Sequence, residues 1–515
     1  MIGQLSPLLI LSVIAAYFAM LVGVSFLTSK KADSAEFFLG NKQSPWPLVA
    51  LGMIGSTLSG VTFISIPGTV GAGGLNQAFS YMQVVFGYLL GYLFIATVLL
   101  PLYYRLGLTS IYQFLEERLG RLSYRTGAFY FMLSRVIGAS FRMFLVAIVL
   151  QRFVADAYGV PFWLTVLITV VLIWLYTFRG GIKTIIYTDT IQTVCMVLAV
   201  AFTVYSIGSA LDVGAGGLID LIQKSDYSQV FFFEGGWTDP NNFFKQFFSG
   251  ALITIVMTGL DQDMMQKNLS MATIGDAQKN MATFSIVLVF ANALFIALGA
   301  LLYIYASNVG LPIPASADQL YPTVALQYLS PATGIIFIVG LIAAAYSSAD
   351  SALTALTTSF CVDFLDFGRD NRDETERRRI RLWVHIGFSL VLLVVILAFR
   401  YLTDESVIIL LFKAAGYTYG PLLGLFAFGL FTDLRVREWI PLGKLQLPAV
   451  ALVCLLSPII SFLVDYYSRQ LLFGFEFGFL ILAFNGLLTF LGLLALSYRE
   501  YDGMEEVDLD RQDGI

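Results

Sequence analysis

The chain has 515 residues, 58% of them hydrophobic and only 13% charged, with a mean hydropathy of +0.79. A soluble domain carries about 25% charged residues, so the polar shells that a soluble chain of this length needs cannot be built. A net charge of −5 without a basic arm excludes nucleic acid as a partner. One histidine and three scattered cysteines exclude a haem or multi-histidine metal site.

Apolar runs of about 20 residues or more are long enough to cross a hydrocarbon layer ~30 Å thick. They predict an all-α polytopic membrane protein with about 13 transmembrane helices, at 7-27, 46-66, 77-103, 123-151, 160-178, 184-208, 246-262, 282-306, 332-361, 382-399, 405-431, 445-465 and 472-497. The first has no basic n-region or small-residue cleavage site and reads as a retained helix. With one crossing per segment and the N-terminus outside, inner loops and the tail hold 21 of the 30 basic residues, Lys267 among them, and outer loops hold five. That asymmetry predicts N-terminus out and C-terminus cytoplasmic, in the plasma membrane. The outer loop 209-244 is Gly-rich, acidic and aromatic, and reads either as a cover over an outer vestibule or as a plain connection. The acidic tail 498-515 reads as disordered. No GxxxxGK[ST] phosphate loop occurs, which excludes an ATP-driven pump.

Polar groups inside a bilayer need partners. The second segment is interrupted by Gly52, Gly55 and Gly60 and crowded with Ser56, Thr57, Ser59, Thr62 and Ser65. Such a helix either unwinds to free carbonyls for a cation and N–H groups for an anion, or packs tightly through small residues. The ninth segment carries Ala343-Ala344-Ala345-Tyr346-Ser347-Ser348-Ala349-Asp350-Ser351, oxygen ligands suited to a small hard cation. Asp350 lies deep in an apolar run, where a carboxylate costs about 2.5–3.5 kcal/mol. Asp189 is either a second such carboxylate or an interfacial partner of Arg179 or Lys183. Arg135 and Arg142, two helical turns apart, share a face and call for anions, either Asp189 and Asp350 or a bound carboxylate. His385 reads as a packed, hydrogen-bonded residue more than as a proton relay, and Lys413 receives no role.

These residues resemble the sodium/solute symporter family, the sodium-glucose cotransporter-like group with the LeuT-type fold. The resemblance runs over about 7-497, through KADSAEFFLGNK, LTSIYQFLEERLG, TFRGGIKTIIYTDTIQ, GLDQDMMQKNL and, most specifically, AAAYSSADSALTALTTSFCVDF. It implies a single transporter domain of two inverted five-helix repeats, 46-208 and 246-431. One peripheral helix precedes them (7-27) and two follow (445-497). The first helix of each repeat is expected to be broken, at Gly55 to Gly60 in one and at Gly250 or Gly259 in the other.

By position, the resemblance implies a sodium site formed by the carbonyls of Gly55, Leu58 and Ala344 and the hydroxyls of Ser347 and Ser348. A second sodium site, present in some members, would fall on Asp189, Ser347, Asp350 and Ser351, with Asp350 standing where a hydroxyl is usual. The substrate positions are most similar to those of bacterial sialic-acid symporters: Ser59, Gly60, Thr62, Phe79, Gln83 and Arg135, with Gly60 replacing a more polar residue. Arg135 would receive a carboxylate. The implied function is sodium-coupled import of a small organic solute, carboxylate-bearing like sialic acid, by alternating access. Na⁺ is the coupling ion, with no organic cofactor and no obligatory protein partner. A neutral sugar or polyol, or an amino acid such as proline, is the alternative solute. A non-transporting solute sensor is the alternative from another class, and an enzyme is not expected because no acid/base or metal constellation is present.

Overall fold

The computed structural model describes residues 6-28, 34-178, 181-367, 372-400, 407-442 and 445-499. Lys30, Lys31, Arg179, Arg369, Lys444 and Arg511, counted above among inner-face charges, and the tail beyond residue 499 lie outside them. In lipid only helices satisfy their own backbone over a single span, and the apolar runs fold accordingly. In chain order they are α1 (Pro7–Thr28), α2a (Trp46–Thr57), α2b (Gly60–Thr69), α3 (Tyr81–Leu106), α4 (Arg121–Tyr158), α5 (Phe162–Thr177) and α6 (Gly181–Ala210). There follow α7a (Phe243–Gly259), α7b (Gln262–Leu269), α8 (Ile274–Asn308), α9 (Pro331–Phe364), α10 (Glu374–Phe399), α11 (Val407–Phe431), α12 (Ala449–Tyr466) and α13 (Gly478–Ala495).

Among the described residues ten helices are long and apolar enough to cross a membrane, and the two bent pairs bring the number to 12. The remaining apolar segment is the 16-residue α5. Four membrane-length or apolar helices, α3 to α6, separate the first bent pair from the second, and six, α8 to α13, follow the second. Helices α4 and α9 form the centre, with 78% of their apolar windows buried, against 22% for α1 and 28% for α10 and α12 at the periphery. Short antiparallel pairs, β1 (Arg435–Val436) with β4 (Ser497–Tyr498) and β2 (Trp439–Leu442) with β3 (Leu445–Pro448), cover one end. His385 is buried between two hydroxyls, Thr177 Oγ1 at 3.0 Å and Thr357 Oγ1 at 2.9 Å, as a packed residue.

Both readings of the glycines in the second segment apply, at different residues. The chain bends by 54° at Leu58-Ser59, between α2a and α2b. The glycines themselves serve close packing. A methyl on Gly55 would collide with Thr193 Oγ1 and lie 2.8 Å from the Asp189 carbonyl, and one on Gly60 would meet Val146 at 2.9 Å. Thr193 and Thr190 on α6 donate to the Leu51 and Leu48 carbonyls at 2.8 and 3.2 Å, fastening α2a along α6.

In α7 the 63° bend falls at Leu260-Asp261, directly after Gly259. Gly250 is not the break. It lies within α7a, where it and Gly87 on α3 let two backbones touch, because a methyl on either would run into the Val84 or Phe247 carbonyl. Overpacking a contact of this kind costs about 1–3 kcal/mol. Gly250→Ala is therefore expected to lower the thermal melting point in detergent by that equivalent, while Gly107→Ala, a methyl in open space at a left-handed position, costs only its backbone strain.

Candidate functional site

Four segments meet at one buried carboxylate. Asp189 on α6 is fully buried and accepts through Oδ1 from Ser347 at 2.8 Å. Its Oδ2 accepts from Ser56 at 2.9 Å, from Ser351 at 3.1 Å and from the Lys267 ammonium at 2.8 Å. Lys267, on α7b, is also fully buried, and donates further to Ser351 at 2.9 Å and to Ser56. This corrects the reading of Lys267 as a charge of an inner loop. Among the described residues the cation paired with Asp189 is this ammonium on the second broken helix and not Lys183, and Arg179 lies outside them.

Asp350 is turned toward α5. Its Oδ2 accepts from Tyr176 at 2.8 Å and its Oδ1 from the Ser351 backbone at 2.6 Å. Of the residues named for a second sodium site, Asp189, Ser347 and Ser351 stand together with the Lys267 ammonium beside them, while Asp350 accepts from a phenol.

Of the residues named for the first sodium site, Gly55 and Ser347 lie side by side. A methyl built on Gly55 would lie 3.3 Å from Ser347 Oγ, so the end of α2a runs against the serines of α9. Ser347 gives its proton to Asp189, which leaves its lone pairs for another partner. Ser348 is fully buried, and its Oγ has no hydrogen-bond partner among the described residues. A buried, unsatisfied hydroxyl beside a helix end is an unusual cost, relieved by any cation that takes its lone pairs. Ala344 lies one turn before Ser348 on the same buried stretch.

A narrow cavity of about 80 Å³ opens at the break in α2, lined by Ser56 to Ser59, Thr62, Tyr81, Tyr88, Tyr92, Arg135 and Arg142 among others. That volume holds a few water-sized groups rather than a whole sugar acid, so a larger solute requires its walls to move. Of the substrate positions, Ser59, Thr62 and Arg135 line it. Gly60 adjoins α4 behind it. Phe79 and Gln83 lie outside its lining. Gln83 accepts from the Phe232 amide at 3.0 Å and donates to the Asn241 carbonyl at 2.9 Å, and the Phe79 amide donates to the Gln229 carbonyl. Both fasten the 209-244 loop to the turn between α2b and α3 and the start of α3.

Arg135 does meet anions, but from α7. It pairs with Asp263 and lies 3.6 Å from Asp261. Asp261 also accepts from Tyr419 at 2.6 Å and caps the α7b amides of Asp263 and Met264. Arg142 has no carboxylate within 4.0 Å among the described residues, and its buried Nε has no hydrogen-bond partner. The sequence reading missed Asp261, Asp263 and Lys267 as site residues. Their signal was present in GLDQDMMQKNL, two acids and a lysine at i+4 from the second, next to an apolar run.

A model of the sodium:solute symporter family matches residues 37–438. The chain is 26% identical over 435 residues to a sodium/sialic acid symporter of Aliivibrio fischeri, covering 80% of each protein. It is 26% identical over 453 residues to the sodium-coupled monocarboxylate transporter 2 of Danio rerio, covering 83% of this chain and 70% of the relative. In three dimensions it is similar to a Na⁺-coupled sialic acid symporter solved substrate-bound and outward-open, with a TM-score of 0.78 at 19% identity over 94% of this chain and 97% of that one. The fold is thus of the LeuT transporter type.

Because Ser348 Oγ makes no hydrogen bond among the described residues, Ser348→Ala removes a buried unsatisfied group and is expected to raise the melting point in sodium-free buffer slightly. Its stabilisation by added Na⁺ should require about tenfold more salt, ~1.4 kcal/mol. A melting point lowered equally with and without Na⁺ would instead give the hydroxyl a purely structural role.

Proposed function

The chain belongs to the sodium:solute symporter family, a multi-pass membrane transporter and not an enzyme, and we propose that it imports a small carboxylate-bearing solute together with Na⁺. The observation that carries this reading is a pair of unfilled demands on either side of the break in α2. On one side are the orphan hydroxyl of Ser348 and the lone pairs of Ser347. On the other is the guanidinium of Arg142, which has no carboxylate within 4.0 Å among the described residues and whose buried Nε is unsatisfied there.

In this reading Na⁺ takes the Gly55, Leu58 and Ala344 carbonyls and the Ser347 and Ser348 hydroxyls, which tie α2 to α9. The solute enters the cavity at Ser59 and Thr62. The N-terminus of α2b adds a second attraction for an anion, because Ser59 is extended and no side chain caps the first turn. The carboxylate goes to Arg142 in preference to Arg135, whose charge is already met by Asp261 and Asp263. Phe79 and Gln83 act at one remove, through the outer loop. The relatives named for sialic acid and for monocarboxylates support an acidic solute of this kind. The excess of basic residues in inner loops, kept when the buried Lys267 is removed from it, supports the N-terminus outside and the C-terminus in the cytoplasm.

Proteoliposomes loaded with the protein test this reading by uptake of radiolabelled sialic acid, a short monocarboxylate, a neutral hexose and proline, each in Na⁺ and in K⁺. Uptake of one carboxylate that requires Na⁺, with its affinity lowered tenfold or more by Arg142→Ala, is expected. Uptake equal in K⁺ would remove the sodium coupling. Sodium-driven uptake of the hexose alone, indifferent to Arg142→Ala, would replace the carboxylate with a neutral solute.

A further inference from the structure

We infer that the loop between α6 and α7a is a membrane anchor: Phe231, Phe233 and Trp237 lie in the headgroup region of the leaflet at that end of the bundle, and the partner of this surface is the lipid itself.

The three rings are 50%, 55% and 63% exposed. An exposed apolar patch of this kind marks a contact with a membrane or with another protein. Continuity decides for the membrane. Phe86 on α3 stacks on Phe231, Phe231 stacks on Phe233, and both loop rings pack against Phe243 in the first turn of α7a. One turn beyond Phe86, the same face of α3 continues into the exposed Leu89, Leu90 and Leu93. Beside Phe243, α7a presents the exposed Phe244 and, a turn further, Phe248. On membrane-spanning helices such side chains face lipid, so the loop rings prolong the lipid-facing surface of both.

The loop brings its rings to the lipid while its backbone stays satisfied from within. Irregular backbone is tolerated near hydrocarbon only where its polar groups are bonded. The Phe232 amide, between the two phenyl rings, donates to Gln83 Oε1 at 3.0 Å, and its carbonyl accepts from the Phe243 amide at 2.8 Å. Lys245, buried on α7a, donates to the Trp237 carbonyl at 3.0 Å and to the Glu476 carbonyl at 2.6 Å, with its ammonium 4.5 Å from the Phe475 ring. It ties Trp237 to the turn before α13, where Phe473, 98% exposed, offers a further ring at the same end. Glu234 stands exposed between Phe233 and Trp237, and a carboxylate is costly in hydrocarbon. The depth that suits both is the headgroup level, where aromatic rings with a polar edge collect. The attraction is apolar and does not require anionic lipid.

Trp237 is its own reporter. The full-length protein is reconstituted into phosphatidylcholine vesicles with and without bromine near the headgroup end of the acyl chains, and the fluorescence of Trp237 is taken as natural sequence minus Trp237→Phe. Bromine is expected to remove about half or more of that contribution, as for a ring held at the interface, and aqueous acrylamide to reach it only weakly. Trp383 on α10, 63% exposed and facing lipid, measured in the same way with Trp383→Phe, sets the scale for full lipid contact. A Trp237 contribution untouched by bromine would overturn the inference, whether acrylamide quenched it, as for a loop in water, or did not, as for one covered by protein. The symport reading would stand in either case. If Trp237→Phe does not reconstitute, Phe231→Ser/Phe233→Ser is expected to lift Trp237 from the lipid, so that bromine quenching of the whole chain falls and acrylamide quenching rises. No change in either would equally overturn the inference.

Discussion

The ion pair between Asp189 and Lys267 is the contact on which the centre of the molecule depends. Desolvating two charges costs several kcal/mol each, and their attraction recovers that only when the remaining hydrogen-bonding capacity is also met. Here it is met by hydroxyls from two further helices, Ser56 on α2a and Ser347 and Ser351 on α9. Four elements far apart in sequence are thereby held at one point, including one half of each broken helix. The pair also fixes which way a neighbouring hydroxyl faces. By taking the proton of Ser347, Asp189 turns that oxygen into an acceptor toward the end of α2a.

The two breaks are built alike and finished differently. At the break in α7, Asp261 caps the half-helix that it begins and is engaged by Arg135 and Tyr419. Its polar ends are answered from within. At the break in α2, Ser59 leaves the first turn of α2b uncapped and facing the cavity. Orphan amides at a helix start attract negative charge, so the open break is the one suited to a ligand. The closed one serves as a wall in which Arg135 is paired with Asp261 and Asp263. A symmetric chain plan thus yields an asymmetric site, because one break has an aspartate where the other has a serine.

Hydropathy made the spans legible, since a bilayer tolerates few alternatives to an apolar helix. The seams between them were harder to read. Glycine signalled both breaks, yet Gly55, Gly60 and Gly250 turned out to mark close helix contacts beside or away from the bends. Lys267 was read as a loop charge for a physical reason. The half-helix α7b is short and polar, so no apolar window extends over it, and only the tertiary fold shows that it is buried. Asp189 and Asp350 stood out as intramembrane carboxylates, but their partners lie 78 and 174 residues away along the chain, on helices whose adjacency no local pattern records. Arg135 was similarly recognised as needing an anion, and the anions came from the segment taken to end at residue 262.

A coupling ion has to bind firmly enough to order the site and weakly enough to leave it. In the proposed sodium set every direct ligand is a neutral oxygen, and the nearest carboxylate is shared among three hydroxyls and an ammonium. Sodium then gains from Asp189 only through space, which limits its affinity. A free carboxylate in the first shell would hold the ion more tightly and slow its release. The lysine therefore sets two properties with one side chain. It supplies the charge that lets Asp189 remain buried without sodium, and it keeps that carboxylate from binding the transported ion directly. Removal of the solute then matters as much as removal of the ion. In the proposed cycle, departure of the solute leaves Arg142 again without a carboxylate within 4.0 Å among the described residues, and the site returns to the state that recruits an anion.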